Sequence, residues 1–131
     1  MPVVLVAEDD DAIRKLICAV VRREGVDVVS ASDGAEAIAR TQEGPIDALL
    51  LDLMMPNQSG WAVMEQLTVA QSPLLAKTVV ITAASDREIG HLPEHTRVLR
   101  KPFDLRDLVR TLRETVGMPA DEEGPPGARP G

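Results

Sequence analysis

The chain has 131 residues, which fits one domain, and 44% of them are hydrophobic, enough for a substantial core. The formal net charge of -7 argues against nucleic acid or an anionic membrane surface as the main partner. A single cysteine, Cys18, excludes an internal disulfide and fits a reducing, cytoplasmic compartment. No apolar stretch approaches the roughly 20 residues of a membrane span, and the N-terminus lacks the pattern of a signal peptide.

Five apolar runs, rich in β-branched residues and leucine, predict strands. In chain order they cover residues 3–7, 26–30, 46–53, 77–82 and 97–100. Helices are predicted after the first, second, third and fifth strands, and each begins at a polar side chain that can cap it. In chain order these caps are Asp11, Asp33, Ser59 and Asp104. Residues 84–95, ASDREIGHLPEH, contain a glycine and a proline and little periodicity. We therefore expect any helix after the fourth strand to be short, irregular or missing.

The alternation of strand and helix predicts an α/β, doubly wound parallel sheet with helices on both faces. In such a fold the strands run into loops that meet at one edge, the carboxyl edge, where ligands bind. The domain is expected to cover residues 1–116. Residues 117–131, GMPADEEGPPGARPG, have no apolar pattern and are predicted to form a disordered tail.

Polar side chains stand where the predicted strands end. They are Glu8 and Asp9 after the first strand, Asp52 at the third, Thr82 at the fourth and Lys101 after the fifth. Taken alone, an aspartate in the position of Asp52 is more typical of a turn or a cap. Three carboxylates crowded at one edge repel each other, however, and a hard cation such as Mg²⁺ with oxygen ligands relieves that repulsion. A carboxylate is also a usable nucleophile toward phosphorus, so Asp52 is a candidate for an aspartyl phosphate.

Four segments, VLVAEDDDAIRKLI, LLLDLMMPNQSG, VVITAAS and VLRKPFD, follow one another in an order and spacing that resemble a known family. The chain is similar, over residues 2–116, to the response-regulator receiver domain of two-component signalling. The resemblance implies a flavodoxin-like fold with a five-stranded parallel sheet. It also implies phosphoryl transfer from a histidine kinase, a phosphotransfer protein or a small acyl phosphate, which switches contacts with a downstream protein.

The resemblance also implies a role for each acidic residue of the site. Asp52 is the phosphoacceptor and a ligand of Mg²⁺. Asp9 ligates the ion directly and Glu8 through a water molecule, and the backbone carbonyl of Met54 is the remaining protein ligand. The first acid is Glu8 where the family more often has aspartate, so the water shell of the metal is expected to shift.

Two further residues are expected to contact the phosphoryl group. By the resemblance, Thr82 is the switch hydroxyl and Lys101 is the phosphoryl-binding lysine, followed by a cis bond to Pro102. Val98 stands where the family usually has an aromatic switch residue. Only 18 residues separate Thr82 from Lys101, fewer than the family usually has. The residues two after Asp52 and two after Thr82 tune phosphate hydrolysis in the family, and here they are Met54 and Ala84.

Three other functions compete with a phosphoacceptor switch. A receiver fold used only as a scaffold or interaction module, without phosphorylation, is the main alternative. An aspartate-nucleophile phosphatase usually has a second aspartate two residues after the nucleophile, where this chain has Met54, which cannot transfer a proton. A nucleotide-binding protein is disfavoured because no glycine-rich phosphate-binding motif is present. The domain is expected to catalyse at most its own phosphorylation and dephosphorylation, as a monomer or weak dimer, without contacting nucleic acid or membrane.

Overall fold

Strand and helix alternate along the chain in the computed structural model, which describes residues 1–119. The strands are β1 (Val3–Ala7), β2 (Asp27–Ala31), β3 (Ala48–Asp52), β4 (Thr78–Thr82) and β5 (Arg97–Arg100). The α-helices are α1 (Asp11–Arg22), α2 (Gly34–Glu43), α3 (Gly60–Val69), α4 (Asp86–Ile89) and α5 (Leu105–Val116). A short 3-10 turn, Pro73–Lys77, precedes β4. The predicted disordered tail lies outside the described residues from residue 120 onward.

All five strands pair in parallel in the order β2-β1-β3-β4-β5. The chain starts at β1 inside the sheet, moves out to the β2 edge, and returns to β3 before it continues to the β5 edge. This doubly wound, flavodoxin-like topology confirms the predicted fold class. The direction of winding reverses between β1 and β3, and in open α/β sheets the ligand crevice lies at that reversal, beyond the carboxyl ends of the strands.

The alternation of side chains in β3 divides the core into two layers. All five residues of β3 are buried, as a strand between two helix layers requires. Leu49 and Leu51 pack with α2 and α3 in one layer. Ala48 and Leu50 pack with α1 and α5 in the other layer. Because both faces of β3 are covered, its last residue, Asp52, is held in a fixed position at the carboxyl edge.

The helix caps agree with the sequence except at the first helix. Asp33, Ser59 and Asp104 cap their helices as predicted. The prediction of Asp11 was wrong by one residue, because the Asp10 side chain accepts the hydrogen bond of the Ile13 amide at 2.9 Å. The carboxylate of a cap accepts from the amide two or three residues later, and Asp11, as the first helical residue, pairs with Arg14 instead.

The bounds of several elements differ from prediction by one or two residues. The second strand covers 27–31 where 26–30 was expected, and the third covers 48–52 where 46–53 was expected. The third helix ends at Val69. α4 is a single four-residue turn, which confirms the expectation of a short helix. Within residues 1–119, none of the helices has the length and apolar character needed to cross a membrane.

Candidate functional site

The register of β1 and β3 brings two buried acids together at the carboxyl edge. Ala7 pairs with Leu51, so the residues that follow, Glu8 and Asp52, are neighbours. Their exposed fractions are 2% and 3%. Asp9 is exposed, and one carboxylate oxygen from each of the three acids lies within 4.8 Å of the other two. The three acids that the sequence placed at strand ends therefore form one cluster.

Lys101, which follows β5 at the same carboxyl edge, joins this cluster. Its Nζ lies 2.7 Å from Glu8 Oε1 and 3.4 Å from Asp52 Oδ2. Its backbone amide donates to the carbonyl of Thr82 at 2.9 Å, which anchors the end of β5 to the end of β4. The peptide bond from Lys101 to Pro102 is cis, as the resemblance implied.

Backbone amides hold the remaining oxygens of the two buried carboxylates. The amide of Asp10 donates to Glu8 Oε2 at 3.1 Å, and the amide of Met54 donates to Asp52 Oδ1 at 3.1 Å. Together with the two contacts of Lys101, every carboxylate oxygen of Glu8 and Asp52 has a hydrogen-bonded partner. Buried charges are tolerated when they are paired and hydrogen-bonded in this way. The site thus gives each oxygen of the two buried carboxylates a polar partner in place of bulk water.

The electrostatics of the cluster favour a further positive charge. Burial, with a smaller contribution from the nearby Asp52, raises the pKa of Glu8 to about 7, although the hydrogen bonds from Lys101 and the Asp10 amide lower it. Burial disfavours the charged form of Lys101, but the Glu8 hydrogen bond and the charges of both acids outweigh it and raise the Lys101 pKa. Three carboxylates face one ammonium, so negative charge is in excess. Carboxylate oxygens around an open edge are the donors that Mg²⁺ prefers, so the residues present fit this ion.

Thr82 and Met54 lie beside the cluster with different contacts. Thr82 is fully buried at the end of β4, and its hydroxyl accepts a hydrogen bond from the Ala84 amide at 3.0 Å. Among its described contacts this hydroxyl meets Ala84 rather than any of the three acids. The Met54 side chain is 59% exposed, while its amide binds Asp52. Both residues lie at the carboxyl edge, close to Asp52 and Lys101.

Arg14 supports the acidic loop and was missed by sequence reasoning. Its Nη1 donates to the backbone carbonyl of Glu8 at 3.0 Å, and its Nη2 pairs with Asp11. An arginine three residues after an acid on a helix predicts that ion pair. The bond to the Glu8 carbonyl has no sequence signal, because it depends on how the loop after β1 turns back over α1.

A buried aspartate that ends β3 of a flavodoxin-like sheet, next to two further acids and a lysine, defines an acidic site at the carboxyl edge. The family model of the response regulator receiver domain matches residues 4–113, and the chain belongs to this family. The family shown by the match is the one that the sequence motifs indicated. Receiver domains of two-component systems generally bind Mg²⁺ at an acidic cluster and interact with histidine kinases or phosphotransfer proteins.

Two curated relatives differ in how much of their length the chain covers. The chain is 33% identical over 116 residues to the response regulator receiver protein CpdR of Brucella abortus, covering 86% of this chain and 95% of CpdR. It is 32% identical over 114 residues to response regulator RR06 of Streptococcus pneumoniae, covering 86% of this chain and 52% of RR06. The chain therefore spans about half the length of RR06 and nearly all of CpdR.

Solved receiver structures match the whole described fold. The Francisella response regulator 1452 receiver domain superimposes with a TM-score of 0.79 at 26% identity, covering 89% of this chain and 98% of that one. The response regulator TrrA of Thermotoga maritima, solved in complex with Mg²⁺ and BeF, gives a TM-score of 0.78 at 26% identity. That match covers 88% of this chain and 99% of TrrA.

Proposed function

We propose that this chain is a phosphoacceptor switch in which Asp52 receives a phosphoryl group from a histidine kinase, a phosphotransfer protein or a small acyl phosphate. The observation that carries the proposal is the setting of Asp52. Its carboxylate is buried at the strand end, is held by the Met54 amide and by Lys101, and lies beside two further acids. A receiver fold that served only as a scaffold would have no need for this cluster of repelling charges.

Each residue of the site has its own role in phosphoryl transfer. An oxygen of Asp52 forms a bond to phosphorus while the bond from phosphorus to the donor's nitrogen or acyl oxygen breaks, and the leaving group departs with that electron pair. Lys101 pairs with a phosphoryl oxygen and offsets its charge. The Thr82 hydroxyl donates its proton in a hydrogen bond to a second oxygen, and the small Ala83 leaves room for the group.

Mg²⁺ would be held by Asp9, Asp52 and the Met54 carbonyl, with Glu8 acting through water. When bound, it supplies positive charge that offsets the carboxylates and the phosphoryl oxygens. The TrrA structure was solved with Mg²⁺ and BeF, which is consistent with this assignment. Phosphorylation then changes the contacts of a monomer or weak dimer with a downstream protein.

The test is intact-mass measurement after incubation with acetyl phosphate. Wild type is expected to gain one phosphoryl group in the presence of Mg²⁺ and none in excess EDTA, because the uncompensated carboxylates repel the donor. Asp52→Asn is expected to gain none. Asp27→Asn, which removes an exposed acid at the start of β2, is the matched control and is expected to behave as wild type. Equal modification of wild type and Asp52→Asn would refute the assignment and favour the scaffold function.

A further inference from the structure

The loop between β3 and α3 contains two consecutive residues in a backbone conformation that non-glycine residues avoid. Asn57 has a φ of 50° and Gln58 a φ of 85°. Residues other than glycine rarely adopt this left-handed backbone conformation. They keep it only where contacts with the surrounding structure hold the backbone in place. The loop begins directly after Asp52, so whatever holds Asn57 and Gln58 also determines the course of the chain that leaves the phosphoacceptor.

The start of α2 supplies that restraint through three contacts. The Asn57 carbonyl accepts a hydrogen bond from the Ala35 amide at 3.0 Å. The Asn57 side-chain amide donates to Asp33 Oδ2 at 3.1 Å, across 24 residues of sequence. Gly34 lies so close to the loop that a Cβ there would be 1.9 Å from the Gln58 carbonyl oxygen. The loop is therefore pressed and hydrogen-bonded against the first residues of α2.

The Asp33 carboxylate binds both α2 and the loop between β3 and α3. Its Oδ1 caps α2 by accepting from the Glu36 amide at 2.7 Å, while Oδ2 holds Asn57. The hydrogen bond from the Glu36 amide, together with that from Asn57, lowers the pKa of Asp33. Its carboxylate is thus ionised at neutral pH, and it requires a donor, not a second acid, at position 57.

The far end of the same loop is fixed against the phosphoacceptor strand. A Cβ on Gly60 would lie 2.2 Å from the backbone oxygen of Asp52, and the Gly60 amide donates to the Leu53 carbonyl at 2.9 Å. Met54 lies between Leu53, whose carbonyl binds the Gly60 amide, and Asn57, which binds the start of α2, and its own amide donates to Asp52 Oδ1. The contact with α2 therefore restrains the segment that follows Met54 on its C-terminal side.

We propose that Asp33 and Asn57 are positioning residues of the phosphoacceptor site, which fix the Met54 backbone for Mg²⁺ binding from the start of α2. This inference rests on the proposed function, since it assigns the Met54 carbonyl to the metal. It extends that function to a pair of residues that contact neither the metal nor the phosphoryl group. Partners beyond the direct ligands of a metal typically affect its affinity by about 10- to 100-fold.

A charge-swap experiment tests the pair. Asn57→Asp places two carboxylates in contact, and Asp33→Asn alone keeps the cap and can still donate to the Asn57 oxygen. The double variant D33N/N57D restores a donor opposite an acceptor with the net charge of wild type. Mg²⁺ affinity is measured by titration of the fluorescence of Trp61, the only tryptophan. Urea denaturation of each variant separates effects on the site from effects on stability.

We expect Asn57→Asp to weaken Mg²⁺ binding by about tenfold, although its added negative charge alone would strengthen it. Asp33→Asn and the double variant are expected to bind as wild type. If Asn57→Asp binds as tightly as wild type, or the double variant is no better than Asn57→Asp, the proposal is wrong. Should Asn57→Asp fail to fold, Asn57→Gly suits the positive φ, removes only the side-chain contact, and is expected to weaken Mg²⁺ binding.

Hydrogen exchange of the Met54 amide without Mg²⁺ separates this proposal from the proposed function. Asn57→Asp is expected to speed this exchange and the double variant to restore it, whether or not the protein binds metal. If wild type binds no Mg²⁺, the proposed function fails, and the exchange result still decides whether the pair positions Met54. Unchanged exchange in Asn57→Asp would overturn the positioning role even where wild type binds the ion.

Discussion

At the scale of single residues, the burial of Glu8 has a consequence for stability. Its pKa rises from an ordinary value of 4.5 to about 7 in the folded protein, chiefly because of burial. Between these two values the folded state holds a proton that the unfolded state has released. Without metal, the free energy of unfolding should therefore fall as pH rises from about 5 to about 7. The contribution of this one group approaches about 1.4 kcal/mol per pH unit.

Urea denaturation in EDTA at pH 5, 6 and 7 measures this slope. Glu8→Gln should flatten it, whereas Glu65→Gln, which removes an exposed acid of α3, should leave it unchanged. The acids whose pKa is lowered in the folded protein change its stability only at more acidic pH. They therefore do not affect the slope between pH 5 and pH 7. They are Asp11, Asp33, Glu36 and Glu88. The same slope in wild type and Glu8→Gln would show that Glu8 does not titrate in this range.

The lifetime of the phosphoryl group depends on side chains that flank Asp52. Met54 and Ala84 carry no group that can orient an attacking water by hydrogen bonding. We therefore predict slow loss of phosphate once the donor is removed. Met54→Asn should speed the loss, because its amide can bind water above the site, where the Met54 side chain is exposed. The decay of the phosphorylated mass with time provides the measurement.

Met54→Leu is the matched control for that prediction, because it keeps an apolar side chain of similar volume and should leave the decay unchanged. Phosphate loss from Met54→Asn at the wild-type rate, or more slowly, would contradict the role given to this position. Stability differences do not confuse the comparison, since the side chain is exposed and makes little contribution to the core.

The acids and the lysine of the site were predictable from the sequence because strand ends are easy to recognise. Glu8, Asp52 and Lys101 each end an apolar run, and parallel strands end at the same edge. The Asp33–Asn57 contact had no such signal, because it joins two loops whose separation is fixed only by packing of α2 against α3. Asp10 was missed as the cap by one residue, which is the usual uncertainty where several acids are consecutive.

At the scale of elements, α4 and the loop that follows it contribute few buried side chains to the domain. α4 has no buried residue, and its ion pair from Asp86 to Arg100 is exposed, so it adds little stability. Val98, in the place of the family's aromatic switch, is short and stiff and cannot swing toward Thr82. We predict that residues 84–96 are mobile without phosphate and that phosphorylation orders or shifts them.

Hydrogen exchange on the free and the beryllofluoride-bound protein measures this change. Amides of residues 84–96 should exchange rapidly in the free state and more slowly when the phosphate mimic is bound. The strands β1 and β3 serve as an internal reference, because their amides are paired within the sheet and should stay protected in both states. Strong protection of residues 84–96 in the free protein, or no response to the mimic, would exclude this switch.

The elements themselves were predictable to within about two residues, as is usual for boundaries. Gly90 and Pro93 signalled the short α4, because both residues interrupt a helix. β3 ended earlier than its apolar run, because Leu53 already belongs to the turn although it stays buried. A burial pattern alone cannot separate a strand residue from a buried turn residue that follows it.

At the scale of the whole molecule, the alternation of strands and helices predicted a parallel sheet, but it did not predict which strands are neighbours. The order of the strands in the sheet, β2-β1-β3-β4-β5, comes from the structure, since an apolar run does not indicate which strand it pairs with. This order makes β1 and β3 adjacent, and that adjacency brings Glu8 next to Asp52. The site thus depends on the topology as a whole and not on any single motif.

The acidic cluster should limit the stability of the entire domain when no cation is bound. Three carboxylates share one ammonium, and removal of one charge relieves their repulsion while Lys101 keeps its bond to Glu8. We predict that Asp52→Asn in EDTA has a higher free energy of unfolding than wild type, by on the order of 1 kcal/mol. Asparagine retains an oxygen that can accept from the Met54 amide, and its side-chain NH2 group gives up only the 3.4 Å contact with Lys101.

Mg²⁺ should reverse this order of stability, because an ion that binds only the folded state stabilises it, and does so more the tighter it binds. Wild type should therefore gain stability with Mg²⁺, and Asp52→Asn, which lacks a ligand charge, should gain less. Urea denaturation of both proteins in EDTA and in Mg²⁺ tests the prediction, with Asp27→Asn as the surface control. If Asp52→Asn is less stable than wild type in EDTA, the interactions of Asp52 with Lys101 and Met54 outweigh the repulsion, and the cluster is not a site under electrostatic strain.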